Sequence, residues 1–291
     1  MVWAVLALAL CSVVVAFVAT TVLVRVGMRA GALDGEGVSG QVKVASRRVP
    51  NVGGIGIVAG LLLPLLAASG AAASGLLPET LLSKELATGI RSEWTPALVI
   101  ALGLLTVHVL GLIDDRTPLH WAPKLLVMVA VPVAIAWFTD TRVFTAADGI
   151  VGGSWLSITL TAMWFAAVMN AINFMDNMDG LAGGTACVIA IAISAVAWQQ
   201  EQWLVAGAAA CLFGATLGFL PLNFPKARIF MGDGGSLVLG YCLAFLTTRL
   251  TYVNSETTEP RWDRMIIPLV LLAVPLYDML SVIVIRLRQG R

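Results

Sequence analysis

The sequence predicts an all-α polytopic membrane protein of about nine transmembrane helices, with its polar loops gathered on the cytoplasmic side. Three observations predict this. Of 291 residues, 59% are hydrophobic and only 12% are charged, whereas soluble domains carry roughly 45–50% apolar and 25% charged residues. Apolar runs long enough to cross a hydrocarbon layer of ~30 Å recur along the chain. Trp3, Trp94, Trp121, Trp137, Trp155, Trp198, Trp203 and Trp262 fall at or near the ends of those runs, where interfacial aromatic residues belong.

Taken in order, the expected spans are 2–24, 52–69, 96–113, 121–138, 155–172, 184–198, 203–220, 236–250 and 265–285. Together they make a single integral-membrane domain over 1–291, with no internal repeat. The first run has no basic residue before it and Arg25 and Arg29 after it. It is longer than a signal-peptide core and its charge points the wrong way for one, so it reads as a retained helix with its N-terminus outside. Between the second and third spans, residues 70–95 read as an interfacial amphipathic helix. Residues 139–154, with Gly149, Gly152 and Gly153, read as a small hairpin. Cys11, Cys187, Cys211 and Cys242 lie inside apolar runs without CxxC spacing. They are small hydrophobes rather than disulfide partners or zinc ligands.

Parity then assigns 25–51, 114–120, 173–183, 221–235 and 286–291 to the cytoplasm. Counting Lys124 with them, these segments hold twelve of the eighteen basic residues, in agreement with the positive-inside rule. The expected location is the plasma membrane, multi-pass, with the lipid bilayer as a partner and no nucleic acid. Three acidic stretches far apart in sequence thereby meet at one membrane face.

The richest is Asn170-Ala-Ile-Asn-Phe-Met-Asp-Asn-Met-Asp-Gly-Leu-Ala-Gly-Gly184. Carboxylates near hydrocarbon are expensive, so a cluster there is a functional hypothesis by default. If the stretch begins as a helix, Asn173, Asp176 and Asn177 share a face, with Asp179 three residues beyond Asp176. Convergent oxygen ligands of this kind suit a hard divalent cation such as Mg2+. The second stretch is the adjacent pair Asp114-Asp115, whose side chains diverge on a helix, so that one can face a metal and the other a basic residue. The third is Pro221 to Ser236, where Gly232, Gly234 and Gly235 flank Asp233 and Ser236 reads as an N-cap. Free backbone N–H groups at that helix start would favour a phosphate. Arg47, Arg48, Lys124, Lys226 and Arg228 add positive charge on the same face. Each stretch also has a purely structural alternative: a polar turn, a helix end paired with Arg116, or a glycine-rich turn.

GLIDD, NAINFMDNMDGLAGG and NFPKARIFMGDGGSLVLGY resemble the three cytoplasmic signatures of the polyprenyl-phosphate N-acetylhexosamine-1-phosphate transferases, a glycosyltransferase family 4 type. RRVPNVGG resembles that family's first-loop motif. Asn177 in DNMDG and Gly234 in FMGDGGS are more similar to the undecaprenyl/decaprenyl-phosphate N-acetylglucosaminyl 1-phosphate branch than to the muramoyl-pentapeptide branch, which is kept as the alternative. The resemblance implies that polyprenyl phosphate attacks the β-phosphate of a UDP-N-acetylhexosamine at the cytoplasmic face, releasing UMP and starting a lipid-linked cell-envelope glycan. It implies dependence on Mg2+, with Mn2+ as the alternative, and Asn173 and Asp233 as metal ligands. Asp114 and Asp115 match an aspartate pair that activates the lipid phosphate or assists the metal, and Asp176 and Asp179 match nucleotide-site positions. These four are the candidate catalytic residues. Arg48, Lys124, Asn170, Arg228, Gly234 and Ser236 are the candidate substrate-binding residues. A homodimer is a further expectation.

The chain departs from the family at its end. Relatives continue into a histidine-bearing loop and at least one more helix, whereas here Arg286-Leu-Arg-Gln-Gly-Arg291 reads as the start of a loop, and His108 and His120 are the only histidines. The expectation is a truncated C-terminus. Two other classes stay open, an ion-coupled lipid transporter and an inactive membrane scaffold.

Overall fold

The computed structural model describes residues 2–31, 49–74, 94–145, 148–251 and 262–290. Among them run eleven helices: α1 (Val2–Ala30), α2 (Gly53–Ser74), α3 (Trp94–Asp114), α4 (Trp121–Thr139), α5 (Asp148–Val151), α6 (Trp155–Met175), α7 (Leu181–Gln199), α8 (Trp203–Asn223), α9 (Asp233–Thr251), α10 (Trp262–Leu271) and α11 (Ala273–Arg288). No strand is present among the described residues; the single β-bridge joins Asn51 and Phe230 in parallel. Helices are the form in which a chain can satisfy its own backbone polar groups in lipid.

Seven helices, α1 to α4 and α6 to α8, are long and apolar enough to cross a membrane, so the protein is a multi-pass membrane protein. The expected eighth span is α9, which packs against α2, α3, α6, α7, α8 and α10. It is less apolar because it starts at Asp233 and carries Arg249. A helix enclosed by others needs no lipid-facing surface, and Leu237, Val238, Leu239, Leu243 and Ala244 are all fully buried.

The ninth expected span is corrected. Instead of one helix over 265–285 there are two, α10 and α11, meeting at Leu272. Pro275 has no N–H to donate to the carbonyl four residues back, so the ladder breaks there. The hairpin expected over 139–154 is also corrected: α5 occupies its centre. Arg142 joins Asp140, Asp148 and Ser157, and Val143 N–H donates to Thr161 Oγ1 at 3.0 Å, tying this connection to α6. The amphipathic helix expected over 70–95 lies largely outside the described residues, with α2 continuing to Ser74.

Packing follows from small residues. Along α1, Leu6, Leu10, Val14 and Val18 are exposed, while Ser12, Ala16 and Thr20 are buried against α2 and α8. A Cβ on Gly214 or Gly218 of α8 would lie 2.2 Å from the Ala9 carbonyl oxygen or 2.4 Å from that of Val13. Such close backbone approach drives helix association where lipid offers no hydrophobic gain. Tyr241 donates to the Ile100 carbonyl at 2.7 Å and packs edge-on against Phe165, linking α9 to α3 and α6. Exposed Trp3, Trp121, Trp137 and Trp155 stand at helix ends, as an aromatic belt requires.

Alternating helix direction brings the start of α2, the end of α3, the start of α4, the end of α6 and the start of α9 to one end of the bundle. Arg286 of α11 lies over the Phe174 ring at that same end, 5.9 Å from its centroid.

Candidate active site

The site is built around the first turn of α9. The segment before it is laid against the start of α2: Phe230 N–H donates to the Pro50 carbonyl at 2.8 Å, while Gly53 and Gly54 N–H donate to the Phe230 and Met231 carbonyls at 2.9 and 3.0 Å. From the other side the end of α3 presses in at Gly111, where a Cβ would lie 2.5 Å from the Asp233 carbonyl carbon and the Gly234 nitrogen. A glycine is required for that approach.

Asp233 then faces three other helices. Its Oδ2 accepts from Lys124 Nζ of α4, and its Oδ1 accepts from Asn173 Nδ2 of α6 at 2.8 Å. The same lysine donates to Asp114 Oδ2 of α3 at 2.8 Å, and Asp114 Oδ1 accepts Leu119 N–H at 2.7 Å. Lys124, Asp114 and Asp233 retain 19%, 14% and 28% of their side-chain exposure. Charges this shielded interact more strongly than surface ones, yet the group still reaches solvent.

Asp115 points elsewhere, as a residue about 100° further round the helix must. Its Oδ1 accepts Asp233 N–H at 2.8 Å and its Oδ2 accepts Gly234 N–H at 3.1 Å, and Asn51 Nδ2 adds a bond to Oδ1 at 3.1 Å. It caps α9 from another helix. Burial pushes its carboxyl up to about 6, against the opposing effect of the two N–H donors and with the neighbouring Asp233 charge adding to the rise. Asp176, just past α6, is pushed well above the usual carboxylate range, first by burial and then by the negative charges of Asp233, Asp115 and Asp179.

Two expectations about the glycine-rich stretch are corrected. Ser236 is not an N-cap: α9 begins at Asp233, and fully buried Ser236 accepts from Asn173 Nδ2 at 2.9 Å. Nor is the helix start a free anion site. Asp115 takes the N–H groups of Asp233 and Gly234, and the Gly232 carbonyl takes those of Gly235 and Ser236. The first-turn donors of the helix are thus all engaged.

The remaining sequence candidates are placed as follows. Asp179 Oδ2 accepts Ala227 N–H at 3.0 Å, holding the loop after α8. Asn170 turns back to its own helix, donating to the Ala166 carbonyl at 2.8 Å. Gly234 is buried against Leu112, and Arg228 is exposed on the loop. Arg48 lies outside the described residues. Sequence reasoning missed three participants: Asn51 beside Asp115, His108 with Nδ1 2.8 Å from the Gly234 carbonyl oxygen, and Asn223. Asn223 accepts Gly180 N–H and donates to the Ile229 carbonyl, at 2.8 and 3.0 Å. Asn51 and Asn223 stood inside the motifs; nothing marked His108.

Among the described residues no three Asp, Glu, His or Cys side chains converge as a metal cage. The donors are nonetheless hard oxygens, and Mg2+ is commonly bound through one or two carboxylates plus substrate phosphates. Asp233, with the amide oxygen of Asn173, fits that mode.

The sequence pattern of the family described as Glycosyl transferase family 4 matches residues 97–251, more than half of the chain. The chain is 28% identical over 279 residues to the probable undecaprenyl-phosphate N-acetylglucosaminyl 1-phosphate transferase of Bacillus subtilis (strain 168), covering 95% of this chain and 70% of the relative. It is 34% identical over 221 residues to the decaprenyl-phosphate N-acetylglucosaminephosphotransferase of Mycobacterium leprae (strain TN), covering 69% of this chain and 55% of the relative. To the undecaprenyl-phosphate alpha-N-acetylglucosaminyl 1-phosphate transferase of Escherichia coli (strain K12) it is 28% identical over 193 residues, covering 62% of this chain and 50% of the relative. The chain therefore spans about half the length of two of these three relatives.

Proposed function

Because the chain belongs to glycosyl transferase family 4, we propose that it transfers N-acetylglucosamine 1-phosphate from a UDP-sugar to a polyprenyl phosphate at the cytoplasmic face of the plasma membrane. An oxygen of the lipid phosphate attacks the β-phosphorus of the donor. The bond from that phosphorus to the bridging oxygen breaks, and UMP leaves with the bridging oxygen. The names of the relatives supply the polyprenyl acceptor and the sugar. The observation that carries the reading is the group Asp114–Lys124–Asp233–Asn173, drawn from four helices to one end of the bundle.

A phosphate monoester has its second pKa near 6 and is largely dianionic at neutral pH, so the acceptor needs little help from a base. The harder task is bringing two anions together. Lys124, a compact charge with rotatable donors, already sits between two carboxylates and can redirect an N–H to a phosphate oxygen. Asp114, held by Leu119 N–H and Lys124, orients the acceptor side rather than forming a covalent bond. Mg2+, or Mn2+ in its place, held by Asp233 and Asn173, would neutralise diphosphate charge during the transfer. Asp176 and Asp179 flank this group where the nucleotide would lie.

The test is direct. Purified protein given UDP-N-acetylglucosamine labelled in the sugar, undecaprenyl phosphate and Mg2+ should yield labelled lipid and UMP in equal amounts. Labelled lipid without UMP, or no product while UDP-N-acetylmuramoyl-pentapeptide is turned over, would overturn the reading.

A further inference from the structure

Resting on the reaction proposed above, we infer that His108, buried in α3 and outside every signature motif, is a positioning residue that clamps the first turn of α9 and so aims Asp233. His108 is 7% exposed and its Nδ1 lies 2.8 Å from the Gly234 carbonyl oxygen. A carbonyl only accepts, so Nδ1 carries the hydrogen.

The rest of that helix face explains what the bond is for. His108, Gly111, Leu112 and Asp115 stand at i, i+3, i+4 and i+7, one stripe of α3 continued by the residue just past its end, whose N–H donates to the Gly111 carbonyl at 2.9 Å. Gly111 admits the α9 backbone, and Leu112 covers Gly234. Asp115 takes the N–H groups of Asp233 and Gly234, while His108 gives its N–H to the Gly234 carbonyl. The Gly234 backbone is thus gripped at both its donor and its acceptor from one neighbouring helix. Gly232, Gly234 and Gly235 have no side chains by which the turn could be packed. The turn would therefore be loose without outside hydrogen bonds. Asp233 sits in it, and its carboxylate reaches Lys124 and Asn173 only when the turn is held in this place. A displacement of about 1 Å at a reacting centre suffices to cost two orders of magnitude in rate. A histidine that merely satisfied its own polarity would need no such alignment with Asp115.

The comparison is between His108→Leu, which removes the donor, and His108→Asn, whose amide nitrogen can stand near the place of Nδ1. Amide hydrogen exchange over residues 233–238 is read in the metal-free protein, and UMP release is read with substrates and Mg2+. Loss of one buried hydrogen bond predicts about ten-fold faster exchange and a kcat lowered at least about ten-fold in His108→Leu, with both recovered in His108→Asn. KM for the UDP-sugar should stay within about two-fold, since no substrate contact is removed. Wild-type exchange in His108→Leu, or equal losses in both variants, would overturn the clamp. Should His108→Leu not fold, His108→Gln replaces it; its amide reaches further along the side chain, so faster exchange than in His108→Asn is required. If the wild type releases no UMP, the proposed reaction fails and the exchange comparison still decides the clamp. If the wild type turns over while exchange is unchanged, the clamp alone is wrong.

Discussion

Asp114 and Asp115 are chemically identical neighbours with different work, and helix geometry divides it. One step along a helix turns a side chain by about 100°, enough to send Asp114 to Lys124 and Asp115 to the backbone of α9. Lys124 is the residue on which two carboxylates depend. Lys124→Met should lower kcat by about 100- to 1000-fold, the loss common for one electrostatic donor at a reacting phosphate or oxyanion. UMP release measures it, with Lys124→Arg recovering only part because a planar fork does not replace a point charge. Asp115 makes a prediction about pH. Its folded value, about 6, lies above the ordinary 3.8, so between those values the folded protein binds a proton that the unfolded chain has released. Stability from this group is fully present below the lower value and is lost as pH rises through the upper one. In metal-free protein, melting temperature should therefore fall between pH 4.5 and 6.5 more steeply than in Asp115→Asn; identical slopes would remove Asp115 as the source.

At the scale of elements, the decisive contact is α3 against the start of α9. Gly111→Ala would set a methyl 2.5 Å from the Asp233 and Gly234 backbone, which no side-chain adjustment can relieve. Overpacking of this kind costs roughly 1–3 kcal/mol. Gly184→Ala is the control, because a Cβ there meets nothing within 4 Å and alanine favours the helix. The expected result is a lower melting temperature and lost UMP release for the first, with neither for the second. These contacts also mark where the sequence stopped being readable. Most helices were legible, since an apolar run of membrane length has no other stable form in lipid. The residue types of the site were legible too, because carboxylates, glycines and a lysine at span ends are costly unless used. Their pairing was not. Lys124 meets Asp233 across 109 residues and Asn51 bridges to Phe230 from the far end of the chain, and no local periodicity encodes such partners. Ser236 looked like a cap by composition, but Asp115 from α3 does the capping. The break at Leu272 was locally encoded in Pro275, within a run whose length suggested one helix.

At the scale of the whole molecule, the arrangement makes a statement about sides. Arg25, Arg29, Arg116, Lys226, Arg228, Arg286 and Arg288 lie towards the end of the bundle that carries Asp114 and Asp233, whereas Arg142 and Arg249 lie towards the other. Cytoplasmic loops carry the excess of Lys and Arg, and the proposed nucleotide-sugar donor would be met on that side, so the charge pattern and the proposed chemistry predict the same orientation. Single cysteines in a background lacking Cys11, Cys187, Cys211 and Cys242 would decide it. Lys226→Cys and Arg228→Cys, both exposed on the loop before α9, should react with a membrane-impermeant maleimide only after the membrane is opened. Ile150→Cys in α5, where the native side chain is 87% exposed, should react in intact cells. The reverse pattern would place Asp233 outside, away from cytoplasmic UDP-sugars, and would sink the proposed reaction whatever the geometry of the site. Labelling of all three positions from one side would break something more basic, because α5 follows α4 and the loop follows α8. An even number of crossings would then separate them, against the three long helices α6, α7 and α8 that lie between.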